Sequence, residues 1–401
     1  MVGLTVSSFG VYGLLVVIAI LYQTELPRMV KLGLGIGRTL EPLGSFPYTY
    51  RRIQEPRLEA CEDMWLSEST RQLFLACSDS LSRKEYLPNG GKFNVSGRSL
   101  RDSIVVMDLE RPSGDSFDMR TLETPGFFGT DGDGRLHLVG FAGSDDEPGD
   151  IRLWVINTKP SVDPITGEFL DNSKVGANST VELFKTGAGA TTLEHIKTFF
   201  HSQIATPNKV TALGGPHDGF YYTNDHGTVK TGLGYALSPL LAKADVSFCD
   251  DTTCRTVVPG LKYPNGLVKG HDGLIYVPSA SIGGIDVFEP LPDHGLKKID
   301  HIDVDYSLDN LNVDASGDIY AAAFPIAKQI LDGFNDPLNS FPAATALRIR
   351  KTLSGYEVTK VIEDRNGEVL PATTTVLHDT KTGKLFMSSV FSPFISICDE
   401  E

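Results

Sequence analysis

A chain of 401 residues with 41% hydrophobic and 22% charged side chains is globular in composition, and long enough for one large unit or two to three average ones. Its formal charge of −15, with no cluster of Lys or Arg, excludes a nucleic-acid surface, because phosphate contact needs concentrated positive charge. Forty glycines and 23 prolines suggest many turns between short strands, so an all-β protein is the first expectation.

Val2 to Gln23 carries no charged side chain and includes the apolar run from Leu14 to Leu21, about one bilayer thickness of helix. Residues 1–23 are therefore read as a signal anchor or signal peptide, and the poor small-residue pattern after Leu21 favours retention over cleavage. Residues 24–57 follow as a linker and N-terminal segment, and residues 58–401 as the folded body. Arg28, Lys31 and Arg38 just after the hydrophobic run disfavour a lumenal body by the positive-inside rule. Two sequons, at Asn94 and Asn178, point the other way, to glycosylation. So does the pair Cys249 and Cys254, whose spacing a hairpin can close as a disulfide, although two free loop thiols would fit the same spacing. Location in the secretory pathway, anchored at the endoplasmic reticulum membrane or secreted, is the resulting expectation. No CxxC pair or Cys/His cluster supports zinc.

Further along, a Gly- or Asp-led turn launches a short apolar strand six times: Arg71–Ala76, Gly134–Val139, Asp218–Tyr222, Asp272–Val277, Gly317–Ala321 and Gly383–Met387. The copies lie about 60 residues apart on average, enough for four strands and their loops, which predicts a six-bladed β-propeller. About ten residues before four of these turns stand Glu62, Asn208, Asn265 and Asn310, with Asp309 beside the last. Equivalent positions at the start of successive inner strands point at the propeller axis. Three amides and two carboxylates converging there need a cation, and Ca²⁺, which takes six to eight hard oxygens in loose geometry, fits them best. One bound calcium is expected, with a coordination position left open.

Three stretches then carry a resemblance: Ser179-Thr180-Val181-Glu182-Leu183-Phe184-Lys185, Pro207-Asn208 and Thr223-Asn224-Asp225-His226. In order and spacing they resemble the paraoxonase/arylesterase family from about Leu58 to Cys398, with Leu58–Asp63 most like its fungal branch. The resemblance implies a six-bladed propeller with a catalytic calcium on the five residues already named. It also implies a second calcium on Asp63 and an acid at the position of Lys209. Since Lys209 has the opposite sign, it is expected to pair with Asp63 and replace that ion.

Two further departures bear on activity. The family's Pro-His-Gly-Ile motif should fall near Thr124–Phe128, and its second histidine near Ala142–Ser144, yet neither stretch holds a histidine. His137 between them reads as a strand residue, so Asp225 and His226 remain as candidate acid or base groups. Cys398 matches a family cysteine that joins the last blade to an N-terminal strand, but Tyr48, Tyr50 and Arg51 occupy its partner's neighbourhood. The expected function is a calcium-dependent ester, lactone or phosphotriester hydrolase acting on an apolar small molecule. The alternatives are a non-hydrolytic cyclase of secondary metabolism, resembling hetero-Diels–Alderases with Phe127 and Phe128 at the mouth, and a non-catalytic binding propeller. The pocket wall is expected from residues 81–100 and 228–247.

Overall fold

The computed structural model describes residues 12–13, 15–19, 25–129, 134–147, 149–215 and 217–401. Six four-stranded antiparallel sheets follow one another along the chain as the blades of a propeller. Their inner strands are Asp63–Ser67, Leu138–Glu147, Pro207–Ala212, Val268–Lys269, Ser307–Val313 and Thr375–Asp379. Apolar faces of neighbouring sheets meet between blades. Phe74 and Ile104 of blade 1 pack with Leu138, Phe141, Leu153 and Phe184 of blade 2, all fully buried. Each such side chain contributes about 1.5–3 kcal/mol by leaving water.

Blade 6 is completed from the other end of the chain. Tyr48–Ile53 pairs antiparallel with Ile395–Glu400, with Tyr48 opposite Glu400 and Ile53 opposite Ile395. The segment 24–57 is thus not a linker: its strand closes the ring, and its helix Leu26–Leu34 docks on blades 4 and 5 through buried Leu32 and the Lys31–Asp305 ion pair (2.7 Å). The propeller must count residues 48–53 as its own, because they supply the outermost strand of blade 6 and so tie the two ends of the chain together in one sheet. The hydrophobic segment 1–23 lies largely outside the described residues. Among the described residues no helix is long and apolar enough to cross a membrane.

Five of the six turn-led runs are second strands of their blades. Gly134–Val139 is the exception, since Leu138 and Val139 already belong to the inner strand of blade 2, and its second strand is Asp150–Asn157. The turn that launches that second strand is at Gly149, about fifteen residues beyond the Gly134 turn.

Each inner strand starts at one face of the ring and the antiparallel second strand returns to it. The loops from second to third strand therefore crowd that face. They carry the helices Ser80–Glu85, Gly232–Leu241 and Gln329–Asn335 and the small hairpin Tyr86–Phe93. Asp79 caps the first of these helices, its Oδ1 accepting from the Ser82 N–H (2.8 Å).

Two disulfides are present. Cys249–Cys254 closes the hairpin between the third and fourth strands of blade 3, as the spacing suggests. The second, Cys61–Cys77, was not foreseen. It joins the residue before Glu62 to the end of the second strand, where Glu62 N–H already donates to the Ala76 carbonyl (3.1 Å). Cys398 is left as a buried free thiol, and the residue paired directly across from it is Tyr50.

Candidate functional site

The five oxygen-bearing residues all lie at the head of inner strands, and all are buried. Blades 3 and 5 place theirs by a local break in register. Pro207 pairs with Asn224 and Val210 with Tyr222, so Asn208 and Lys209 together face one partner residue. Asp309 and Asn310 stand in the same relation between the Leu308–Ala323 and Leu311–Ala321 pairs. Such bulges re-aim consecutive side chains, so both members of each pair can be turned toward the axis.

The amides share one arrangement. Asn310 Nδ2 donates to Glu62 Oε1 (3.0 Å) and Thr375 Oγ1 (3.0 Å), and Asn208 Nδ2 to Asp225 Oδ2 (3.4 Å). Asn265 stands near the Asp309 carboxyl and favours its charged form. Against these, Asn208 Oδ1, Asn265 Oδ1, Asn310 Oδ1 and Glu62 Oε2 are buried with no hydrogen-bond donor. Buried acceptors in native proteins are almost always paired, and leaving one unpaired costs about 1–3 kcal/mol. Four such acceptors at the heads of the inner strands are hard oxygens of the kind a cation would accept. Burial, then the charge of Asp63, pushes the Glu62 carboxyl above its ordinary range against the pull of Lys209. Burial, then the charges of Glu62 and Asp63, does the same to Asp309. Positive charge at the axis would relieve both.

The second tier of the axis holds Asp63, Lys209 and two glycines. Lys209 Nζ donates to Asp63 Oδ2, which also accepts from Phe141 N–H (2.9 Å), while Asp63 Oδ1 accepts from Met64 N–H (2.9 Å). A Cβ on Gly266 would stand 2.1 Å from Asn310 Oδ1, and one on Gly140 2.3 Å from the Asn208 carbonyl oxygen, so both positions need glycine for backbone approach. Below this tier, a cavity of about 830 Å³ opens at the opposite end of the tunnel, lined by Trp65, Lys209, Lys269, His271, Asp314 and His378 among others.

Over the site, Asp225 and His226 follow the second strand of blade 3. Asp225 Oδ1 lies 2.8 Å from His226 Nδ1, and its Oδ2 accepts from Asn89 Nδ2 (2.7 Å) as well as from Asn208. The Tyr235 ring stacks on His226 at 3.7 Å, and its hydroxyl donates to the carbonyls of Pro88 and Asn89 (both 2.8 Å). Tyr263 meets His226 edge-on at 4.9 Å. The expected wall segments, 81–100 and 228–247, thus supply the cover through Asn89 and Tyr235. Arg83, buried beneath Ser80–Glu85, adds a guanidinium whose Nε and Nη2 have no partner.

Blade 2 overturns two placements. Leu138 pairs with Asn157 and Phe141 with Val155, so Val139 and Gly140 occupy the register of Asn208 and Lys209. Leu138-Val139-Gly140-Phe141 therefore opens the inner strand of blade 2, and Thr124–Phe128 lies before that strand. Phe127 packs on Phe184 and His195 in the outer half of blade 2, and Phe128 is 80% exposed, so neither forms the mouth of the axis. His137 directly precedes the inner strand, its N–H bonded to Asn157 Oδ1 (2.8 Å). Ala142–Ser144 line the lower cavity.

Reasoning from sequence missed Thr374 and Thr375, whose hydroxyls donate to the Glu62 carbonyl (3.1 and 2.7 Å), and also Asn89, Tyr235, Tyr263 and Arg83. An offset of eight to nine residues before the turn at Gly383, within the range of the other blades, lands on Thr374 and Thr375, so that pair was findable. The cover residues sit in loops and carry no periodic signal. Of the sequons, Asn94 is exposed, its Nδ2 bonded to Glu85 Oε2 (2.7 Å), and Asn178 is half-buried. Among the described residues no three His, Cys, Asp or Glu side chains group as a metal site, so the axial set depends on its amides.

A family profile described as Arylesterase matches residues 127–395. The chain belongs to the arylesterase (paraoxonase) family. It is 28% identical over 311 residues to human serum paraoxonase/arylesterase 1, covering 71% of this chain and 83% of that protein. With human serum paraoxonase/arylesterase 2 it shares 30% over 217 residues, 53% of this chain and 59% of that protein, so it spans little more than half that relative's length. A solved glucose dehydrogenase, 9% identical, superposes with a TM-score of 0.50 over 87% of this chain and 98% of its own, a likeness of fold alone.

Proposed function

We propose that this chain is a calcium-dependent hydrolase of esters or lactones, extending to phosphotriesters, with an apolar small molecule as substrate. The observation that carries the reading is the set of four donorless buried oxygens on Glu62, Asn208, Asn265 and Asn310. With Asp309 they would hold one Ca²⁺, hard oxygens being its preferred ligands. When bound, the ion supplies Lewis-acid polarisation of a carbonyl or phosphoryl oxygen.

The remaining work falls to side chains of this chain. Thr374 and Thr375 fix the Glu62 backbone from blade 6, and Asn89 and Asn208 hold Asp225 between the cover and the axis. Asp225 in turn orients the His226 ring through Nδ1, which leaves Nε2 as the atom that can hold or pass a proton. Tyr235 and Tyr263 pack against that ring and keep water off it.

Val139, without a titrating group in the register of Asn208, favours a second reading: a non-hydrolytic cyclase that works by holding a reactive substrate in position. Its support is the missing base, since Phe127 and Phe128 lie elsewhere. A pure binding propeller has no observation of its own in its favour. Family and disulfides support an extracellular or lumenal setting; we propose residues 1–23 as the route there, retained as an anchor or cleaved, with Asn94 the better placed of the two glycosylation sites.

The deciding assay is turnover of aryl esters, lactones and a phosphotriester before and after chelation, with calcium restored at the end. Chelator-sensitive turnover, lost by about 100-fold or more in Glu62→Gln, is expected. Absence of turnover on every substrate removes hydrolysis and leaves the cyclase reading.

A further inference from the structure

We infer that Lys209 is a tethered counter-ion that fills the axial tunnel directly behind the candidate calcium site, limits the propeller to one divalent ion, and gives way to a second cation site when an acid replaces it. This deepens the calcium reading above and rests on it.

The geometry is that of a built-in cation. The Lys209 and Asp63 side chains form an ion pair that is 6% and 0% exposed. Both Asp63 oxygens are already committed, Oδ1 to the Met64 N–H and Oδ2 to the Phe141 N–H and the ammonium. The Lys209 stem has a fitted channel: a Cβ on Gly140 would stand 3.2 Å from Lys209 Cδ and 3.1 Å from its Cα. The same residue roofs the 830 Å³ lower cavity, so its side chain separates the site from solvent at the opposite face of the ring. A buried carboxylate whose partner is removed costs several kcal/mol, which is why the tunnel needs some cation at this level.

Charge counting gives the same answer. Glu62, Asp63 and Asp309 are three buried carboxylates in mutual electrostatic contact, and Lys209 is the ammonium that acts on Glu62 and Asp309 alike. Three negative charges less one positive leave two, the charge of one Ca²⁺, with Asp225 outside this count because it is held by its own partners His226 and Asn89. Arg83, the other cation acting on Glu62, has Asp102 and Asp79 as counter-charges. With aspartate at 209 the count becomes four negative charges, which two divalent ions balance. The shorter side chain would vacate the channel beside Gly140, with access from the lower cavity.

The test is calcium stoichiometry by equilibrium dialysis and elemental analysis on the full chain and on Lys209→Asp, with thermal melts across a calcium titration. One calcium per wild-type chain and two per Lys209→Asp chain are expected, the variant's melting temperature continuing to rise beyond the first equivalent. Two ions on the wild type, or one on the variant, overturns the inference while leaving the calcium site standing. No calcium on either chain removes the calcium reading itself and this inference with it. Should Lys209→Asp fold only in calcium, that dependence is the expected result; failure to fold at any calcium concentration overturns it. Lys209→Met, which keeps volume but supplies neither charge nor ligand, is expected to bind one ion, and two would contradict the counter-ion role.

Discussion

Asn208 and Asn310 each give their amide nitrogen to a carboxyl group, and all three axial asparagines, Asn265 included, keep the oxygen without a donor. Buried amides are almost always paired at both ends, so three bare oxygens together suit a cation. Glu62→Gln preserves shape and removes one of two ligand charges. It should weaken calcium binding by roughly 100-fold, read by calorimetric titration. These residues were legible because a similar offset, seven to ten residues, separates them from the turn that launches each second strand. Val139 was not, because the Gly134-led run imitates such a turn while belonging to the inner strand. Far from the axis, Cys398 gives a separate check. Burial, followed by the charges of Asp399 and Asp364, pushes its thiol up to about 12, so almost no thiolate exists at neutral pH. Iodoacetamide should leave the native protein unlabelled and modify one thiol per chain after denaturation without reductant; labelling at the native stage would contradict its burial.

At the scale of elements, the bulges at 208–209 and 309–310 and the strand Tyr48–Ile53 matter most. Local sequence shows neither. A bulge is a matter of register between two strands, and Tyr48–Ile53 finds its partner nearly 350 residues away, at Ile395–Glu400. The blade count, by contrast, was readable, since second strands are short apolar runs behind Gly or Asp turns. Deleting residues 1–24 should leave the thermal transition in place, whereas deleting through Ile53 opens blade 6 and should lower it sharply, both read by circular dichroism. The Cys61–Cys77 link ties the start of blade 1 to its second strand beside Glu62. Replacing both cysteines by serine should cost about 3 kcal/mol on the chain-entropy account of a loop this long, measured by denaturant titration.

Taken whole, the molecule is a ring with one plugged axis. Helices and hairpins cover the face where Glu62, Asn208, Asn265, Asp309 and Asn310 meet, the Asp63–Lys209 pair closes the tunnel behind them, and a wide cavity opens at the far end. Four of the six blades contribute to this set of buried oxygen-bearing side chains, so a cation bound there should stabilise the ring as a unit. At calcium 100-fold above its Kd the gain is about 2.7 kcal/mol, and chelation should lower the melting temperature by several degrees. The most direct test is a crystal structure from calcium-containing solution, with anomalous differences to identify the ion. A single calcium peak is predicted within about 2.3–2.6 Å of Glu62 Oε2, Asn208 Oδ1, Asn265 Oδ1 and Asn310 Oδ1, with none beside Lys209 Nζ. An axis holding only water, with the asparagine amides turned to hydrogen-bond one another, would contradict it.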